Sequence, residues 1–593
     1  MCFLEYAMLS IVILETSWNL LEKKILKNRN ERMHFLMCKT NTSLARVEKY
    51  SAVDEALNLI YLYIQEVYSP KEVELICGEL KSIARRDDFQ CVEVASSKRT
   101  YTQVQDALSK INEKQSIRKS KGVYYTPNDV VRFILTNSIK ASFGKLTASN
   151  VSDLNMDNIP YRSFCCRKTV FDPTCGAGEY LLAALEIKID LLKKNAKITN
   201  RLIQEVVSTI YGNDVNVESI IIAELRLLLF IIESCGVDYC IGLGNVMNRR
   251  FTSFDFIADE VSFEDKYHIV IGNPPYVEDF KSGLELSDKY GNIYANILLN
   301  AARKLEKNGS IGFIIPLSYV STPRMKKLRE ELGDLVPEQY ILSYADRPDC
   351  LFDSVHQKLC ILIGKDRKVE KTVFTGNYQY WYKQERSTLF TDIQMVRNRY
   401  ENADFIPKLG TQRDIDIYKK ITDTRKMQSV YAISRAGTES VFLNRREAFW
   451  MKAYREKVDA PEYKVFSFHT SLEADFCYCL INSTLFWWYW ISVSDCWHVS
   501  KDLNGFMMPL QVDMTGATEL ANNLRERLEK TKVYVGTKQT QYEYKHRECL
   551  SEIWAIDDFV NAAYGLTEAE SKYIKNFAIR YRTSGGIDAD ENN

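Results

Sequence analysis

The residues best placed to do chemistry are Asn273-Pro274-Pro275-Tyr276, which follow the apolar run Tyr267-His268-Ile269-Val270-Ile271-Gly272. An apolar run rich in β-branched residues reads as a buried strand of a parallel sheet. Such a strand delivers the residues at its carboxyl end to the crevice where these sheets bind ligands. The prolines stop the strand and stiffen the backbone, so the Asn273 amide and the Pro274 carbonyl become rigid hydrogen-bond acceptors. Tyr276 adds a flat face. The set suits a planar group bearing an exocyclic amine, such as adenine. Alone, the tetrapeptide also reads as a Pro-rich turn.

A second constellation lies upstream in Val170-Phe171-Asp172-Pro173-Thr174-Cys175-Gly176-Ala177-Gly178-Glu179-Tyr180-Leu181, a strand, a Gly-rich turn and a helix start. The glycines let the backbone approach a ligand where a Cβ would collide, and the helix start exposes unpaired N–H groups. Asp172, at the strand end, is placed to attract the cationic end of that ligand. The next strand ends in Ile210-Tyr211-Gly212-Asn213-Asp214-Val215-Asn216. There Asp214 suits two ribose hydroxyls, although an Asp that caps the following helix would look the same. Gly244-Asn245 follows a third expected strand, Tyr239–Gly242. Upstream of all these, Gly122-Val123-Tyr124-Tyr125-Thr126-Pro127 leads into an amphipathic helix.

The elements that must position these residues are legible as a pattern. Short apolar runs alternate with helical periodicity from about 120 to 365, the signature of a doubly wound α/β sheet. Seven strands are expected: 169–171, 210–212, 239–242, 268–271, 310–315, 339–344 and 359–363. The expected organisation is a helical region 1–118, a catalytic α/β domain 119–368, a mixed region 369–510, a helical region 511–583 and a disordered acidic tail 584–593. Residues 2–19, interrupted by Glu5 and Glu15, are expected to form a helix or to precede the true start, with Met8 and Met33 as alternative initiators. The uncharged stretch Phe476 to Ser494 carries Asn482-Ser483-Thr484 at its centre and is expected to be a buried helix, not a membrane anchor.

Composition narrows the class without naming it. The chain has 593 residues, enough for several cores, and 46 % hydrophobic with 26 % charged residues is ordinary for a globular protein. Lys+Arg 78 balances Asp+Glu 78, so any nucleic-acid surface must be a local patch. The fifteen cysteines form no Cys-x-x-Cys pair and the six histidines are scattered, so neither a disulfide framework nor a metal site is expected. Free thiols suit a reducing cytoplasm.

Read together, the motifs resemble those of S-adenosylmethionine-dependent amino-methyltransferases, above all the DNA adenine-N6 enzymes. Asn-Pro-Pro-Tyr resembles their catalytic motif, and Asp172-Pro-Thr174-Cys-Gly176-Ala-Gly178 resembles their cofactor loop. The order Tyr-Thr-Pro, glycine loop, Asn-Pro-Pro-Tyr, then a long C-terminal region resembles the γ class of restriction–modification methylases of the type II or IIG kind. Leu480 to Trp488 and Ile556 to Thr567 resemble the C-terminal halves of such enzymes, so the resemblance covers about 120 to 583. It implies a seven-stranded Rossmann-like domain and a target-recognition region at 369–510. S-adenosylmethionine would contact Thr126, Asp172, Thr174, Gly176, Gly178, Asp214 (ahead of Asn213 or Asn216) and Asn245. Phe352, in Asp349-Cys350-Leu351-Phe352-Asp353, would support the second face of a flipped base whose first face meets Tyr276.

The implied reaction needs the adenine out of the duplex, because its N6 is paired and stacked. Asn273 and Pro274 would then accept its two N6 hydrogens and turn the lone pair toward the methyl donor. No strong base and no metal are required. For DNA contact the sequence offers residues 432–457, where Arg435, Arg445, Arg446, Lys452, Arg455 and Lys457 outnumber three glutamates among Phe449, Trp450 and Tyr454. A solvated helix face would look similar. Double-stranded DNA is the expected partner, with a cognate endonuclease or specificity subunit beside it and no membrane. Two other readings stand: methylation of protein glutamine, and a non-catalytic DNA-binding defence subunit. Cleavage by this chain is not expected, since Asp87-Asp88 and Glu93 lack the lysine of a Glu-x-Lys nuclease core.

Overall fold

A computed structural model describes residues 51–583 apart from 88–97, 112–125, 259–264, 287, 353–355, 367–369, 400–403, 424, 430–436, 458–462, 500–506, 510 and 537–540. The expectations for residues 2–19, Asp88, Glu93, Gly122 to Tyr125, Arg435 and the tail 584–593 lie outside the described residues.

The central sheet is built from β1 (Val170–Asp172), β2 (Ile210–Asn213), β3 (Phe251–Thr252), β4 (Tyr267–Gly272), β5 (Leu305–Pro316), β6 (Glu338–Tyr344), β7 (Leu359–Lys365), β8 (Thr372–Gln379) and β9 (Val396–Asn398). Their order is β3-β2-β1-β4-β5-β7-β6-β8-β9. Neighbours from β3 to β5 are parallel, and β7 runs antiparallel between β5 and β6. The sheet therefore has nine strands where seven are expected. Past residue 368, β8 joins β6 in parallel and β9 joins β8 antiparallel. Sequence periodicity does not reveal to which edge a strand will be added.

One expected strand is absent. Tyr239–Gly242 is not extended: Val237–Cys240 forms a 3-10 turn, and Leu243–Met247 a short helix. Gly236 and Gly242 bracket this turn with φ of 110° and 80°, values that favour glycine. The carboxylate of Glu79 then accepts the N–H groups of Gly242 (2.7 Å) and Gly244 (2.8 Å), satisfying donors that a strand would have paired. The third strand comes later, as β3, in register Gly212↔Phe251 and Asn213↔Thr252.

Strand order reverses across β1, which has β2 on one side and β4 on the other, so the crevice opens at the carboxyl ends of β1 and β4. Helix Asn128–Ser142 packs on β4, β5 and β7, and helix Glu179–Asn195 on β1 and β2. Helix Val217–Cys235 is buried continuously from Ser219 to Ile232. It can be apolar all round because the N-terminal helices Ala52–Val67, Pro70–Ala84 and Tyr101–Lys110 cover its outer side.

The C-terminal part holds a three-stranded antiparallel sheet of Glu439–Asn444, Ala453–Tyr454 and Tyr463–Phe468, with helices behind it. The tryptophan-rich stretch is two buried helices, Ser471–Asn482 and Thr484–Val493, divided at Ser483, whose hydroxyl accepts the Phe486 N–H at 3.1 Å. Among the described residues no helix is long and apolar enough to cross a membrane.

Candidate active site

At the end of β1, the Asp172 side chain is 2 % exposed, and its Oδ1 accepts the Thr174 N–H at 3.0 Å. Burial, together with the charge of Asp214, pushes its carboxyl up to about 8, despite the opposing N–H bond. A buried carboxylate in that state favours a cationic neighbour. The loop beyond it needs its glycines. Gly176 has φ 52° and open space where a Cβ would stand, whereas Gly178 has φ 84° and a Cβ there would meet that of Ala223 at 2.9 Å. Cys175 between them is buried and its thiol pushed well up, so it stays neutral.

Asp214, just past β2, faces that loop. Its Oδ2 accepts the Gly176 N–H at 3.0 Å, and its Oδ1 accepts the Asn216 N–H at 2.9 Å. Asn213 and Asn216 have structural duties instead. The Asn213 amide joins three strand ends by donating to Pro173 and Phe254 carbonyls, each at 3.0 Å, and Asn216 caps helix Val217–Cys235. Val215, Val217 and Phe254 are exposed nearby, unusual for large apolar side chains in successive strand-end loops.

Asn273 follows β4 directly. Its Nδ2 donates to Thr126 Oγ1 at 3.1 Å, so two motifs 147 positions apart meet in one hydrogen bond. A Cβ on the preceding residue, Gly272, would stand 2.8 Å from Asp172 Oδ1, which brings the ends of β1 and β4 together. Pro274 is buried and Pro275 half-buried. The half-buried Tyr276 is pinned by its hydroxyl, which donates to the Ile314 carbonyl at 3.0 Å. Its ring meets Tyr294 edge-on at 6.4 Å.

These features fit S-adenosylmethionine. Asp172 would supply an anion for its cationic portion and Asp214 acceptors for its ribose, and the open side of Gly176 leaves room for close approach. Thr174 adds a buried Oγ1 with no hydrogen-bond partner among the described residues. No group of three or more His, Cys, Asp or Glu suited to a metal is found among them.

Three expected residues fall elsewhere. Asn245 is exposed on the helix leading into the amino end of β3, not at its carboxyl end. The polar residue beyond β3 is Asp255, whose Oδ1 accepts the N–H groups of Ile257 (2.9 Å) and Ala258 (3.1 Å). The acidic residue ending Phe251-Thr252-Ser253-Phe254-Asp255 was the available signal. Phe352 is 1 % exposed and covered by the core, so its ring is not open to a base. Arg455, with a side chain 9 % exposed, is held inside by Asp475 (2.8 Å) and Glu439 (2.7 Å). Phe449 and Trp450 are buried as well, while Arg445 and Arg446 are exposed and Lys452 half-buried.

Sequence reasoning also missed the support behind the glycine loop. Arg226, 3 % exposed, donates through Nη1 to the Ala177 carbonyl (2.7 Å) and to Glu179 (2.6 Å). Its Nε donates to Gln105 at 3.0 Å, and Gln105 returns a bond to the Arg226 carbonyl. The N-terminal helices thus brace the loop through one arginine. Nothing in the local pattern of Arg226 marks it, since it sits in an otherwise apolar helix.

Residues 208–347 match the family model described as Eco57I restriction-modification methylase. The type II methyltransferase M.VspI of Vibrio sp. (strain 343) is 24 % identical over 295 residues, 46 % of this chain and 59 % of that protein. The adenine-specific methyltransferase PglX of Streptomyces coelicolor is 24 % identical over 200 residues, 28 % of this chain and 15 % of its own length. The chain therefore spans less than two thirds of these curated relatives. In fold it resembles MmeI, a type IIL restriction-modification enzyme solved in complex with DNA, with a TM-score of 0.50 and 11 % identity over 90 % of this chain and 96 % of that one. Residues 208–347 are thus similar to the Eco57I restriction-modification methylases, and they lie within a Rossmann-like α/β core of the methyltransferase kind.

Proposed function

We propose that this chain is a site-specific DNA methyltransferase that transfers a methyl group from S-adenosylmethionine to N6 of a flipped adenine, as the modification activity of a restriction–modification or phage-defence system. The observation that carries the reading is Asn273, held by Thr126 at the carboxyl end of β4, with the buried Asp172 alongside. Duplex DNA is its partner, with a cognate endonuclease or specificity subunit as a second one.

The cofactor supplies a methyl group on a positively charged sulfur. The protein's part is positioning, which accounts for much of the acceleration in such a displacement. With its nitrogen committed to Thr126, the Asn273 amide turns its oxygen to the adenine amine, and the Pro274 carbonyl takes the second N6 hydrogen. These two acceptors draw the amine lone pair out of conjugation with the ring. Tyr276, fixed by its bond to Ile314, stacks on the base and recovers about 1–3 kcal/mol of the flipping cost. With Phe352 covered, this stacking falls to Tyr276 alone. Asp172 holds the cationic portion of the cofactor, Asp214 the ribose, and Asp255, in place of Asn245, the adenine amino group of the cofactor.

Long-read sequencing of DNA from a methylation-free host expressing this chain tests the assignment. The expected result is N6-methyladenine in one sequence context, which also reveals the site. Unmodified DNA from cells whose purified chain still binds the cofactor overturns methylation by this chain alone and points to a required partner subunit or to a non-DNA acceptor such as the amide of protein glutamine.

A further inference from the structure

The segment Asp495 to Val499 lies between the strand ends of the three-stranded sheet and the edge of the central sheet; Cys496 and Val499 are buried in it, while Trp497 and His498 are exposed. It runs antiparallel to Arg445-Arg446-Glu447. Val499 N–H donates to the Arg445 carbonyl at 2.9 Å, Glu447 N–H donates to that of Trp497 at 3.3 Å, and Arg446 and His498 form a bridge between these bonds. Two further anchors make the segment rigid. Asp495 Oδ1 accepts the N–H groups of Trp497 (2.9 Å) and His498 (3.0 Å), and the indole N–H of the buried Trp490 donates to the His498 carbonyl at 3.2 Å.

Trp497 is nevertheless 41 % exposed. One face of its indole is covered by Lys358, whose Nζ lies 4.3 Å from the ring centroid. Lys358 immediately precedes β7 and is paired with Asp346, two residues past β6, at 3.2 Å. Its carbonyl accepts the Leu317 N–H, at the end of β5. Because β7 is antiparallel to β5 and β6, its amino end lies at the carboxyl edge of the sheet, the edge that also carries Asn273 and Asp172. The ridge thus presents a partly exposed indole, edged by the His498 ring at 6.2 Å, with two exposed arginines and that exposed histidine, at the edge of the sheet where the crevice opens.

An immobilised tryptophan among arginines is the composition of an interface centre. Basic residues interleaved with an aromatic suit nucleic acid in particular, cations for phosphates and a π face for a nucleotide. We infer that Arg445, Arg446, Trp497 and His498, buttressed by Lys358, form a DNA-holding ridge beside the catalytic crevice. Arg445 and Arg446 take backbone phosphates, and the exposed part of the Trp497 indole takes the nucleotide flanking the target. This inference rests on the DNA-methyltransferase reading and adds to it a surface that links the three-stranded sheet to the reaction edge.

The test measures binding of the full-length chain to a fluorescein-labelled random-sequence duplex across a series of salt concentrations, and in parallel its affinity for S-adenosylmethionine. Arg445→Ala/Arg446→Ala is expected to make the slope of log affinity against log salt shallower by roughly two, one phosphate contact per arginine. Trp497→Ala is expected to weaken duplex binding about tenfold with little change in that slope. Neither should change cofactor affinity. If Trp497→Ala also loses the cofactor it is misfolded, and the surface pair Arg445→Ala/Arg446→Ala decides. Wild-type binding and slope in that pair overturn the ridge alone and reassign it to a protein contact. A wild-type chain that binds no duplex at all overturns the ridge and the DNA reading together.

Discussion

The carboxyl edge of the sheet and the segment 432–457 both presented polar residues with an expected role, and they differ in how those residues are used. At the edge, Asp172 ends β1, Asp214 follows β2 by one residue and Asn273 follows β4 by one, and their contacts with the glycine loop, Thr126 and Gly272 gather them at one edge. In 432–457, the arginines of one short stretch divide. Arg445 and Arg446 are exposed, while Arg455 is locked between two carboxylates inside the fold. A strand end is aimed by the strand itself, so its position implies its direction. A residue in a basic run is aimed by whichever face packs, which the run does not encode.

The sharpest way to break this comparison is Asn273→Ala. Loss of an acceptor that acts on the reacting amine is expected to cost about a thousandfold or more in methyl transfer, on the scale of preorganised hydrogen bonds at reacting centres. Cofactor affinity should stay near wild type. Retained turnover in a radiolabelled methyl-transfer assay would remove Asn273 from its role and end the contrast at its strongest point.

Next in size is the effect of Arg455→Ala against Arg445→Ala, followed by denaturant unfolding. Removing Arg455 leaves Asp475, whose side chain is 5 % exposed, without its cation. The expected cost is on the order of 3 kcal/mol, as for a broken buried pair. Arg445→Ala should stay within about 0.5 kcal/mol, as for a surface substitution. Equal stabilities would show that the two arginines do not differ as their burial says.

The smallest expected effect concerns Asp172, and it has a pH signature. Burial raises its carboxyl to about 8 in the absence of a cation, so near neutrality it is mostly protonated. A cationic ligand favours the ionised form, so binding lowers that value and releases a proton below pH 8. Cofactor affinity should therefore rise with pH up to about 8 and then level off. Asp172→Asn should weaken binding about tenfold and abolish the dependence. Calorimetry in buffers of different ionisation enthalpy reads the proton directly; a buffer-independent enthalpy for the wild-type chain counts against Asp172 as the cation's partner.

What the sequence determined by itself is local. Strands β1, β2 and β4 to β7 lie within a few residues of their apolar runs at one end at least, because a buried strand needs an uninterrupted apolar run wherever it sits. Asp172, Asp214 and Asn273 were legible for the same reason: each terminates such a run, and the crevice at the carboxyl edge follows from parallel pairing. The tertiary structure decided whatever depends on a distant partner. Glu79, from an N-terminal helix, claims the N–H groups of Gly242 and Gly244 and so turns an apolar tetrapeptide away from the sheet, leaving Asp255 rather than Asn245 past β3. Packing covers Phe352 and turns Arg455 inward. Gln105 reaches Arg226 across 121 positions to brace the glycine loop, and Lys358 meets Trp497 across a comparable gap. Hydrogen bonds and ring contacts act over a few ångströms of space regardless of sequence separation, so these pairs become visible only once the chain is folded.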